Sequence, residues 1–96
     1  MKVVWDDAKN VANQKKHGIS FDEAETLFGS DDYLEIFDAE HSEVEDRFLA
    51  IGLIRQGLIV VVWTPPDDET IRIISARPAT RSEEHLFESH RGKKHD

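Results

Sequence analysis

Residues 47–63 read R-F-L-A-I-G-L-I-R-Q-G-L-I-V-V-V-W, and this stretch decides the fold class. Arg47 to Ile54 and Leu58 to Trp63 are two candidate strands. Arg55-Gln56-Gly57 between them reads as a three-residue hairpin loop with Gly57 at the left-handed position. The second run is apolar without alternation, which predicts a central strand covered on both faces. Thr64-Pro65-Pro66-Asp67-Asp68-Glu69 stops that strand with two prolines and a charge cluster. Ile71 to Ala76 resumes the sheet, and Tyr33 to Phe37 precedes the hairpin. An antiparallel meander is the expected heart of the molecule.

Outward from the meander, the ends are helical. Val3-Val4-Trp5 is a short first strand. Asp6 or Asp7 caps a helix in which Ala8, Val11, Ala12 and Lys15 recur at helical spacing, and Lys15, Lys16 and His17 favour its negative dipole end. Gly18 stands where a left-handed terminating residue belongs. Ser20-Phe21-Asp22-Glu23 is a capping box opening a short helix that buries Phe21, Ala24, Leu27 and Phe28. Thr80-Arg81-Ser82-Glu83 is a second one, starting a last helix to about His90. The expected fold is thus α+β, an antiparallel meander with two N-terminal helices and a C-terminal helix. Its 96 residues make one domain, 1–96, with a basic tail from about residue 91.

Composition narrows the function classes. The chain is 39% hydrophobic and 33% charged, as for a folded globular protein, and it carries no cysteine for disulfides, thiolate chemistry or cysteine-bound zinc. No apolar stretch is long enough to span a bilayer, and Met1 to Asp6 lacks a secretory apolar region, so no membrane association is expected and a cytoplasmic protein is. The net charge of −8 is unevenly spread: residues 1–17 and 71–96 each carry +2, and residues 18–70 carry −12. With this distribution the chain is expected to fold with a basic end and an acidic end, which opens two kinds of partner.

Ile71 to Arg81, I-R-I-I-S-A-R-P-A-T-R, places Arg72, Arg77 and Arg81 around the junction of a strand and a helix N-terminus. Guanidiniums beside free N–H groups suit phosphate; the competing reading is solvated arginines answering Glu83, Glu84 and the acidic middle. Alternation sets Arg72 opposite in direction to Ile71 and Ile73, and Arg77 is expected past the strand end. Spacing leaves open whether Arg47 projects from the sheet face or pairs with Glu45 or Asp46. His85 and Glu88 lie one helical turn apart without a third ligand, so neither a metal nor a cofactor is expected. Trp5 and Trp63 suit core packing better than base stacking.

Several strings together resemble one family. The pattern W-D-x-x-K-x-x-x-N-x-x-K-H-G-I-S-F-x-E-A runs from Trp5 to Ala24, D-R-F-x-x-I-G from Asp46 to Gly52, V-V-V-W-T from Val60 to Thr64, and R-I-I-S-A-R-x-A-T-R-x-E from Arg72 to Glu83. By these strings the chain is similar to the BrnT family of bacterial type II toxins. The resemblance implies a fold related to RelE-type ribonucleases and an RNA-cleaving toxin that inhibits translation. It also implies a BrnA-like ribbon-helix-helix antitoxin, with operator DNA contacted indirectly through it, and no metal. Carried over by position, Lys16, His17, Arg47, Arg72, Arg77 and Arg81 are the implied functional residues. Proton transfer needs a tunable group, for which His17 is the first candidate and Glu83 the second. The chain departs from the family pattern at Pro65 and Pro66, at Pro78, Ser82, Glu84 and His85, and at Phe87, where a tyrosine is common. The thinned arginine set supports an alternative: a weakly active or non-catalytic module that docks on a DNA-binding partner and tunes repression.

Overall fold

The computed structural model describes residues 1–95, and side chains through residue 92. The basic tail expected from about residue 91 therefore falls almost wholly outside the described side chains. Five strands, β1 (Lys2–Trp5), β2 (Tyr33–Phe37), β3 (Phe48–Ile54), β4 (Gly57–Thr64) and β5 (Thr70–Pro78), form one sheet in the order β1-β5-β4-β3-β2. From β2 to β5 every neighbour is antiparallel, as the hairpin reading requires. The expectation of a purely antiparallel sheet is corrected at one edge. There β1 pairs in parallel with β5, so the sheet is mixed. The helices after β1 carry the chain to the far edge, where β2 runs opposite to β1, and the three antiparallel reversals from β2 to β5 bring β5 back in the direction of β1.

Helix α1 (Asp7–His17) begins at Asp6, whose side chain accepts the Lys9 N–H, and closes at Gly18 with φ 72°. Helix α2 (Phe21–Glu25) opens with the expected capping box between Ser20 and Glu23 and runs on into a 3-10 turn over Thr26–Gly29. The hairpin turn is shorter than read: Arg55 and Gln56 alone form it, and Gly57, at φ 131°, already pairs with Ile54. Helix α3 (Arg81–His95) follows Thr80 and extends beyond His90.

Both faces of the sheet are covered, but unequally. Under α1 and α2 lies a core of Ile19, Phe21, Ala24, Leu27, Ala50, Ile59, Val61, Trp63, Ile71, Ile73 and Ala76. Under α3 lies a smaller one of Ile51, Val60 and Phe87, flanked by Leu34, Ile36, Leu49 and Leu58. Gly52 on β3 is required by the larger core: a Cβ there would run into the Leu27 side chain and approach Tyr33 Cβ to 3.0 Å. The apolar stripe expected on α1 is not the buried one. Val11 is half exposed, while Asn13 is buried and Asn10 and His17 are half-buried. Asn10 and Asn13 are drawn inward because they have backbone to bond. Asn10 Oδ1 accepts the Phe21 N–H at 2.8 Å, and Asn13 Nδ2 donates to Ile19 O and Ala76 O, both at 2.8 Å.

Candidate nucleic-acid interface

Strand β5 is the element that positions the arginines. It pairs Val60 with Arg77, Val61 with Ala76, Val62 with Ser75, Trp63 with Ile73 and Thr64 with Arg72, so Ile74 is an extra residue on β5. Arg72 and Arg77 are five positions apart, and in a regular strand an odd offset puts two side chains on opposite faces. The bulge at Ile74 resets the alternation. Arg77 shares a face with its partner Val60, which belongs to the core under α3. Arg72 shares that face through Thr64, which alternates with Val62 and Val60 along β4. Arg77 is thus within the strand and not past its end.

Arg47 belongs to the same face. Continuing the Phe48–Trp63 register by one residue sets Arg47 opposite Thr64, and Thr64 lies opposite Arg72. Arg47, Thr64 and Arg72 therefore form one row across β3, β4 and β5, with the two arginine backbones about 10 Å apart at ordinary strand spacing. The Arg47 carbonyl accepts the Asp38 N–H at 2.8 Å, and its guanidinium lies 3.6 Å from Glu45, which resolves the open choice of partner. Its Nε is buried with no hydrogen-bond partner among the described residues. Arg77 stands about 13 Å along the sheet from Arg72, and half-buried Val62 lies on the floor between them. The arrangement is a stripe of cations on this face beside α3, exposed at Arg72 and half-buried at Arg47 and Arg77.

The start of α3 forms the wall of the stripe. Thr80 Oγ1 accepts the Glu83 N–H at 3.2 Å and Glu83 Oε1 accepts the Thr80 N–H at 2.8 Å, the expected second capping box. The same carboxylate takes both Nη groups of Arg77, at 2.7 and 2.8 Å, in a two-pronged pair. The Arg77 hydrogen bonds, helped by the Thr80 N–H, bring the Glu83 pKa down to about 2, and Glu83 in turn raises that of Arg77. A carboxylate so held stays ionised at neutral pH and is a weak base, so its place in the structure is that of an orienting partner for Arg77. Arg81 is exposed on the first turn and lines a shallow depression with Glu84, His85 and Glu88.

Lys16 and His17 lie elsewhere. They end α1, which packs on the opposite face of the sheet from Arg72 and Arg77. Phe87 is fully buried in the core under α3, with Arg91 over its ring at 5.4 Å, so its aromatic ring packs and has no access to a ligand. Trp63 is likewise buried, stacked on Phe48, and Trp5 meets Phe21 edge-on. Among the described residues no three His, Asp or Glu side chains gather as metal ligands, and no helix is long and apolar enough to cross a membrane.

One residue that spacing did not single out positions the stripe. Where β1 ends at Trp5, opposite Ile73, Asn13 takes over as the neighbour of β5: its Nδ2 donates to Ala76 O and its Oδ1 accepts the Ala76 N–H at 3.1 Å. The side-chain amide stands in for a strand and fixes the backbone beside Arg77. Its trace in the sequence is an asparagine at the centre of a helix, a poor place for that residue unless something bonds it.

Comparison with known proteins bears on this site. The family described as "Ribonuclease toxin, BrnT, of type II toxin-antitoxin system" matches residues 5–83. A search of curated proteins returns no match. Among solved structures, the crystal structure of the Brucella abortus ribonuclease toxin, BrnT, is similar with a TM-score of 0.65 and 27% identity, covering 84% of this chain and 99% of that one.

Proposed function

Because the chain belongs to the BrnT family of ribonuclease toxins of type II toxin-antitoxin systems, we propose that it cleaves RNA on the arginine-lined face of its sheet without a metal ion. The observation that carries the reading is the bulge at Ile74, which brings Arg72 and Arg77 to one face beside Arg47. In metal-free cleavage the ribose 2′-hydroxyl gives its proton to water as it attacks the adjacent phosphorus, and the 5′-oxygen leaves with a proton taken from water. Between these events a dianionic phosphorane must be stabilised. Guanidiniums do this while staying charged and offering paired donors to two phosphate oxygens. Arg72 and Arg77 take that role, and Arg47 and Arg81 hold flanking phosphates. Glu83 orients Arg77. The placement of His17 across the sheet and the low basicity of Glu83 favour the arginines over either group as the main contributors.

A type II system supplies an antitoxin, and the same cations are its natural target; a BrnA-like ribbon-helix-helix protein, reaching operator DNA on its own account, fits that place. Action in the cytoplasm and a relation to the RelE fold belong to the same reading. The Arg77–Glu83 pair supports a second one, in which a half-neutralised stripe mainly docks the antitoxin and tunes repression. Cleavage of RNA by the purified protein separates them. Activity is expected to persist in EDTA and to fall at least ~10-fold in Arg72→Ala, a loss of about 1.4 kcal/mol of transition-state stabilisation. Folding should stay within about 0.5 kcal/mol of the parent, because Arg72 is exposed. Inhibition by EDTA that divalent ions reverse overturns the metal-free mechanism, and absence of cleavage favours the docking module.

A further inference from the structure

The sheet has a second feature that RNA chemistry does not use: its far edge. β2 is the last strand, and its hydrogen-bonding phase follows from one contact. Asp38 N donates to Arg47 O, continuing the register that pairs Leu34 with Ile51 and Ile36 with Leu49. In an antiparallel ladder alternate residues exchange bonds with their partner, so Leu34, Ile36 and Asp38 turn their backbone groups toward β3. Tyr33, Glu35 and Phe37 consequently turn theirs outward. Among the described residues no group hydrogen-bonds those three N–H donors. β2 has no lysine, no proline and no bulge, and its one edge charge is Glu35, which turns away acidic partners and not basic ones. Phe37, half exposed, closes the strand as an apolar foothold and continues inward through edge-on contact with Phe48.

We propose that this edge is a docking site for an extended, basic segment of a partner polypeptide, which adds a sixth strand beside β2. Charge selects the occupant. Residues 31–46 carry eight Asp and Glu and neither Lys nor Arg, and Glu35 projects from the middle of the edge strand. A nucleic acid is repelled by such a surface. A second copy pairing β2 with β2 would set acidic edges against each other, and like charges opposite one another destabilise a strand pair. A segment alternating basic and apolar residues meets both demands: outward amides for its backbone, carboxylates for its cations and Phe37 for its apolar side chains. β3 and β4 separate this edge from Arg72 and Arg77 on β5, Arg47 beside Asp38 being the cation of the stripe that lies near it, and occupation of the edge does not require that RNA bind there.

The test uses the whole protein and three synthetic heptapeptides: one alternating lysine and valine, the same peptide N-methylated on every amide, and one alternating glutamate and valine. Amide NMR and hydrogen exchange are read at Tyr33, Glu35 and Phe37. The lysine peptide should shift and protect these amides, Glu35→Lys should weaken it about tenfold, and the other two peptides should bind at least tenfold more weakly. Equal binding of the N-methylated peptide reduces the contact to charge alone and overturns the proposal. So does protection of these amides in the concentrated protein without peptide, which would assign the edge to a second copy, or a response confined to other residues. None of these readings depends on RNA cleavage, so the edge and the arginine stripe stand or fall separately.

Discussion

The face of the sheet under α1 and α2 holds eleven of the described buried core residues, whereas the face under α3 holds three, Ile51, Val60 and Phe87. The first face is sealed by short helices with explicit caps and by two asparagine amides bonded to backbone. The second is covered over part of its area only, and the uncovered part carries Arg47, Arg72 and Arg77. Stability is concentrated where the chain is sealed, and charge is displayed where it is not. Such a division lets a small domain present several cations without dismantling its main core.

The sharpest way to break this contrast is at Phe87. It is the one large side chain α3 buries among the described residues, and Phe87→Ala should cost about 3–5 kcal/mol by chemical denaturation. A cost below about 1 kcal/mol would mean that α3 is held by something other than this packing. Next is Asn13 on the sealed face. Asn13→Ala removes three buried hydrogen bonds and strands the Ala76 backbone groups, for about 2–4 kcal/mol. The Ala76 amide should then exchange rapidly, and unchanged protection there would show that the amide is dispensable.

The smallest expected effect lies at Glu83, where the two faces differ in kind. Its folded pKa of about 2 lies below the ordinary 4.5, so the unfolded chain takes up the proton first as the solution is acidified. The stability it contributes is complete above about pH 5 and is lost as pH falls toward 2. Partial exposure of the pair keeps the amount small, so Glu83→Gln should cost about 1–2 kcal/mol at pH 7 and flatten the acid limb of the stability profile. A variant profile parallel to the parent's would remove Glu83 from the account of that limb.

Much of the architecture was legible because it is written locally. β2 has the expected bounds, both capping boxes form, and β4 is covered on both faces. What was not legible depends on partners distant in the chain. The polar stripe of α1 has no apolar periodicity, since Asn10 and Asn13 are buried for their hydrogen bonds. The strand holding Arg77 runs two residues beyond the Ala76 end that its sequence suggests, through a proline that is a poor strand residue. In the structure Pro78 follows the phase of Ala76, whose N–H points toward the β1 side, and β1 has already stopped there. A missing N–H costs nothing at such an edge. The common face of Arg72 and Arg77 depends on Ile74, and the sequence I-I-S does not mark which residue is extra.

That extra residue also sets how this strand tolerates change in length. Substitutions at Ile74 alter a half-buried side chain and leave the alternation of β5 intact. Deleting it does something different in kind: either residues 70–73 or 75–78 must turn over, and one arginine exchanges places with a residue of the main core. An insertion has the same consequence. Between Arg72 and Arg77, point mutation is therefore open to drift in a way that single-residue insertion and deletion are not. Descendants of this gene should vary this segment in letters and keep it fixed in length.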